Sequence, residues 1–185
     1  MRLLAAAVFT LMLMTPALGQ DQATDENAWP EYTVSNDLSA LPEAVRKTRE
    51  ALIAAALTGD IEALRPIVKA QQYPPTVSYG GPDDAVDYLK TYSADGQGIE
   101  NLAIMLELLN APYAVFDSAS DNPSYVWPYL AVVEDLSALT PKEKLDAYRI
   151  LTAEQFTELV ELEAWYYWRL YIGKDGEWQA FVAGD

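Results

Sequence analysis

The chain contains neither cysteine nor histidine. Without cysteine there is no disulfide, no thiolate nucleophile and no attachment point for a lipoprotein-type lipid. Without histidine there can be no Ser-His-Asp triad, no Cys-His pair and no histidine-ligated zinc. Positive charge is also scarce, with 12 Lys+Arg against 28 Asp+Glu and a net charge of −16. That field repels phosphate backbones and anionic head groups, and no basic cluster overturns it, so nucleic acid is not an expected partner. A dinucleotide fingerprint is missing too, because Gly96 and Gly98 have no third glycine beside them. Asp95-Gly96 does not open a calcium loop. In that register the first and twelfth positions would be Thr91 and Leu102, and neither is a carboxylate. No cofactor and no structural metal are expected.

Only one apolar run is long, and it lies at the start. Arg2 precedes residues 3–14, and Ala17-Leu18-Gly19 follows. A short charged start, a short apolar centre and small residues three and one before Gln20 read as a secretory signal peptide, residues 1–19. Twelve apolar residues rise only about 18 Å as a helix, against a hydrocarbon core of about 30 Å, so a permanent anchor is not expected. The expected location is the periplasm or the exterior, with no stable membrane insertion once the leader is cut. The remaining length suits one domain, and with no disulfide that domain must rely on its core.

Residues 20–41 are polar, acidic and without period, and read as a flexible tail. A first helix is expected over residues 42–57, with Val45, Thr48, Leu52, Ala55 and Ala56 on one face. Gly59-Asp60 ends it and caps a second, short helix that Pro66 should kink or shorten. Residues 76–81 read as a strand entering a glycine turn. Pro82-Asp83-Asp84 opens a further helix, its acids complementing the helix dipole rather than forming a catalytic pair. Ile99, Leu102, Ala103, Leu106 and Leu109 mark another helical stripe. Two strands are expected around a polar loop at residues 117–122, the second bending or lying at an edge because of Pro128. Thr140-Pro141-Lys142-Glu143 and Thr152-Ala153-Glu154-Gln155 are capping boxes for two consecutive short helices. Glu158 and Glu161 share a solvated helix face. The chain should close with a hairpin, residues 163–172 and 177–183 joined by Gly173-Lys174-Asp175-Gly176. The expected class is α+β: one domain over residues 42–185, with a small, largely antiparallel sheet of about four to five strands packed by several short helices.

The closing run "YWRLYIGKDGEWQAFVAGD", with "YVWPYLA" and "GIENLAIMLELLNAPY" upstream, resembles a group of small exported proteins of alphaproteobacteria. The likeness covers about residues 70–185. It implies a Gram-negative periplasm, and it implies no activity and no catalytic residue, since none is assigned to the group. A looser similarity is to the nuclear-transport-factor-like, or cystatin-like, α+β fold, with "AALTGDIEAL" as the first helix pair. The two helices between the strand pairs depart from that pattern.

The aromatic row of the hairpin poses the functional question. On a strand, Tyr166, Trp168, Leu170 and Ile172 share one face and Trp165, Tyr167, Arg169 and Tyr171 the other. The aliphatic members mark the first set as the core face. The second set has two readings: packing under helices with Arg169 paired to a carboxylate, or a ligand face. Rings stack on sugars, and a guanidinium grips carboxylate with two donors, so the ligand would be an envelope glycan, peptide or protein partner. The favoured reading is a non-catalytic cell-envelope binding module. The alternative is a carboxylate-based hydrolase acting on an envelope glycan, which needs two carboxyls across a cleft, one with a raised pKa.

Overall fold

The computed structural model describes residues 29–81 and 83–184. The expected leader, its cut site and Pro82 lie outside the described residues. Five strands form one sheet in the order β1-β2-β3-β4-β5: Tyr32–Ser35, Tyr113–Phe116, Ser124–Trp127, Arg169–Gly173 and Trp178–Val182. Every neighbouring pair is antiparallel. Six α-helices accompany them: α1 Glu43–Ala56, α2 Arg65–Lys69, α3 Ala85–Thr91, α4 Ile99–Leu109, α5 Pro141–Tyr148 and α6 Ala153–Glu161. The expected α+β class, with one sheet and one domain, is what the chain adopts.

The helices sort by chain position onto the two faces of the sheet. Those between β1 and β2 cover one face. Val45 and Leu52 of α1, Leu89 of α3 and Met105 and Leu108 of α4 pack there against Tyr113, Trp127, Leu170, Ile172 and Phe181. Those between β3 and β4 cover the other. Leu136, Ala147, Phe156 and Leu159 pack there against Ala114 and Val126. Strand alternation divides the partners. Tyr125 and Trp127 point to the first core and Val126, between them, to the second.

Local sequence explains most element ends. Pro66 splits the expected second helix into a 3-10 turn, Ile61–Leu64, followed by α2. Asp84 caps α3 by accepting from the amides of Val86 and Asp87, 2.9 Å each. Its outer oxygen meets Arg65, which also holds Glu62 and Asp87. Both capping boxes form, at Thr140 and Thr152. Glu158 and Glu161 are exposed.

Several expectations are corrected. Residues 29–41, read as part of a tail, carry β1 and a 3-10 turn, Leu38–Ala40, and Trp29 Nε1 donates to Val132 O at 2.8 Å. Residues 76–81 form no strand. Only Thr76 engages the sheet, bridging in parallel to Ala180 through bonds to Gln179 O and Phe181 N. The buried stripe of α4 is rotated from the one expected. Ile99 and Ala103 are exposed, whereas Met105 and Leu108 are fully buried. Pro128 neither bends a strand nor marks an edge, since β3 lies mid-sheet and stops at Trp127. The hairpin's first strand starts at Arg169 rather than residue 163. Glu163 has φ +52°, outside any strand conformation. It ends α6 instead. Glu163 N–H bonds Val160 O and Ala164 N–H bonds Leu159 O, 3.3 Å each, which is a Schellman closure.

Candidate functional site

The four residues of the expected ligand face are only partly gathered by a strand. Arg169 and Tyr171 belong to β4, while Trp165 and Tyr167 precede it in irregular chain. All four are half-buried. Trp165, Tyr167 and Tyr171 lie against the second core, and so does Tyr166, which strict alternation had assigned to the first. Trp168 does face the first core, stacked on Phe181 with ring centres 4.5 Å apart, although it too is only half-buried. Leu170 and Ile172 are fully buried, as expected.

Arg169 holds this irregular stretch in shape. Its Nη1 donates to Trp165 O at 3.3 Å and Tyr167 O at 3.5 Å, and Nη2 donates to the Tyr79 hydroxyl at 2.9 Å. Among the described residues it makes no ion pair with a carboxylate, contrary to the packing expectation. Trp165 Nε1 donates to Trp168 O, and its ring stands edge-on to Tyr167. Burial pushes the Tyr171 and Tyr167 hydroxyls above their ordinary values. Donors and rings here are largely spent on one another.

A cleft of about 550 Å³ opens elsewhere, where the ends of β1 and α4 meet α1 and α5. Its wall contains Arg49, Lys142 and Arg149 beside Glu143 and Asp146. Three cations against two carboxylates is a local reversal in a chain of charge −16. Arg49 is the unusual member. It is 8% exposed, and its Nε and Nη2 donate to one acceptor, Leu109 O, at 3.1 and 2.6 Å. Among the described residues no carboxylate lies within ion-pair distance and Nη1 has no hydrogen-bond partner. Burial draws the guanidinium below its ordinary value, only partly offset by Glu50. It stays charged at neutral pH all the same.

The acids of the cleft are committed to structure. Glu143 accepts from Thr140 Oγ1 at 2.7 Å and from Thr140 N–H at 2.8 Å. Those bonds hold its carboxyl below the ordinary carboxylate range. Burial pushes the Tyr129 hydroxyl far above the usual phenol range, with Asp146 and Glu143 adding to it. Lys142 and Arg149 are exposed and make no ion pair among the described residues. The sequence did carry a signal for Arg49. It lies four residues after Val45 and three before Leu52, a charge set into the apolar stripe of α1.

No family model matches this chain, and no curated protein or solved structure is significantly similar to it.

Proposed function

We propose that the protein is a non-catalytic binding module of the cell envelope, exported to the periplasm, whose ligand presents an anionic group to the cleft between α1 and α5. Arg49 carries this reading. The carboxyl end of α4, the negative end of its dipole, compensates Arg49 only in part, so holding this guanidinium 8% exposed without a carboxylate partner costs stability. An anion in the cleft would offset that cost, and the free Nη1 and the exposed Arg149 and Lys142 supply further donors. The periplasmic location rests on the leader-like start and on the resemblance of the closing hairpin.

The hydrolase alternative needs carboxyls facing each other across a cleft, one of them with a raised pKa. Glu143 and Asp146 instead sit three residues apart on one helix, and Glu143 is pulled down rather than up. The aromatic row at Trp165, Tyr167, Arg169 and Tyr171 offers rings already packed and a guanidinium already engaged, so the cleft is the better seat for a ligand.

The test is NMR observation of arginine Nε–H signals during titration with acetate, glutamate, N-acetylmuramate and phosphate. At least one anion should shift the Arg49 signal, with the Arg49→Met variant folded and more than tenfold weaker in binding. If none of the four perturbs Arg49 up to about 10 mM, where even millimolar affinity would show, the reading fails.

A further inference from the structure

The cleft does not end at its basic wall. A second depression of about 340 Å³ shares Val34, Tyr129 and Glu143 with it, so the two form one groove. The groove follows β1. Its basic end is lined by Ser35, Asn36 and Leu38, at and just beyond the carboxyl end of the strand. Its other end is lined by Tyr32, at the strand's start, with Glu134 and Asp135 opposite. Charge is therefore sorted along the groove, with Arg49, Lys142 and Arg149 at one end and two further acids at the other.

β1 is also an edge strand. It pairs with β2 on one side, and among the described residues nothing pairs with the other. Thr33 and Val34 are exposed, and Leu38 adds apolar surface next to the basic end. A free edge presents a row of N–H and C=O groups that an extended chain can satisfy. Four residues of strand span about 13 Å, enough to register a short peptide.

Resting on the anion-binding reading of the cleft, we infer that the ligand is an extended peptide with a free carboxyl terminus, lying parallel to β1. Its terminal carboxylate meets Arg49 and Arg149, its backbone pairs with the open edge of β1, and a cationic residue near its amino end faces Glu134 and Asp135. Charge complementarity at the two ends fixes the direction. The reversed peptide would place its carboxylate beside Glu134 and Asp135, where like charges repel.

The experiment uses an acetylated hexapeptide of alternating valine and threonine with lysine as its first residue, titrated by calorimetry into the whole chain without its leader. The free acid should bind at least tenfold more tightly than its carboxyl-terminal amide. It should also beat a copy N-methylated at alternate backbone nitrogens, and acetyl-alanine alone, by at least tenfold. Hydrogen exchange should slow at the β1 amides only with the free acid. The Glu134→Lys/Asp135→Lys variant should weaken the peptide without changing acetyl-alanine. Equal binding of acid and amide overturns the inference. Equal binding of the N-methylated copy, or N-acetylmuramate as tight as the free acid, overturns edge pairing and leaves anion binding standing. If small anions shift Arg49 but no peptide exceeds them, the inference fails alone. If neither peptides nor small anions bind, it fails together with the proposed function.

Discussion

The two faces of the sheet are built to different standards. Among the described residues the first core contains twenty-two buried side chains and the second eleven. The first is roofed by α1, α3 and α4 and takes the large inward residues Tyr113, Trp127, Leu170, Ile172 and Phe181. The second is roofed by two short helices and 3-10 turns, and receives Ala114 and Val126 from mid-sheet. Its rim is filled by rings that stay half-buried: Tyr32, Phe116, Trp165, Tyr166, Tyr167 and Tyr171. The difference separates a side of the sheet that is closed by packing from one whose rim stays partly open. The groove runs along β1, the edge strand of the sheet, and is lined by Tyr129, Leu139 and Glu143 of the second layer, while Arg49 reaches it from the roof of the first.

The sharpest way to break this comparison is to remove one tryptophan from each side. Trp127→Ala empties a fully buried site in the first core and should cost about 3 to 5 kcal/mol in urea unfolding. Trp165→Ala removes a half-buried ring from the second and should cost roughly 1 to 2 kcal/mol. Equal losses would show that the two cores carry equal weight.

A second prediction concerns acid. Glu62 is held below its ordinary value by Arg65. Asp84 is held low by the Asp87 amide and by Arg65, and Glu143 by Thr140. Burial raises Asp95, but the amides of Gln97, Glu100 and Gly98 and the Ser93 hydroxyl outweigh it, so it too is lowered. A carboxyl lowered in the folded state stabilises above its unfolded pKa, and that contribution is lost as pH falls through the folded value. The melting temperature should therefore be flat from about pH 8 to 5 and fall below about pH 4. Glu43 of α1 is lowered as well, and so are Asp135 and Glu154 beside the second face, Glu154 in the first turn of α6, so amides of α3, α4 and α6 should lose exchange protection over the same acid range. Loss confined to one face would contradict the assignment.

The smallest effect sharpens the comparison at the rim of the second core. Glu163 occupies the left-handed position that closes α6, where a side chain is strained. Glu163→Gly should raise stability by about 1 kcal/mol with no change in anion binding. A loss of stability would mean that the side chain itself anchors the rim.

Elements with a local code were legible in the sequence. Both capping boxes, the Gly173–Gly176 turn, the inward Leu170 and Ile172 and the split at Pro66 follow from residues a few positions apart. What was hidden depends on distant partners. "YTVS" has no strong strand pattern and becomes β1 only because Phe116 to Tyr113 lie opposite it. Residues 163–168 alternate like a strand, yet the Schellman closure at Glu163 and the reach of Arg169 to Trp165 and Tyr167 hold them out of the sheet. The cleft was hidden because its cations come from α1 and α5, about a hundred residues apart, and only the misplaced charge of Arg49 hinted at it.

The pairing of β1 with β2 has a consequence for the order of assembly. β2 with β3, and β4 with β5, are joined by short turns and can zip early. Ser35 must find Tyr113 across roughly 80 residues, with the whole first helical layer between them. That is the largest loop the sheet closes, and its entropy is repaid by only four residues of strand. Loop-closure entropy therefore predicts that the strand bordering the groove pairs last and frays first. A ligand in the groove would act as a clasp on β1, and its departure would loosen that strand before any other part of the sheet.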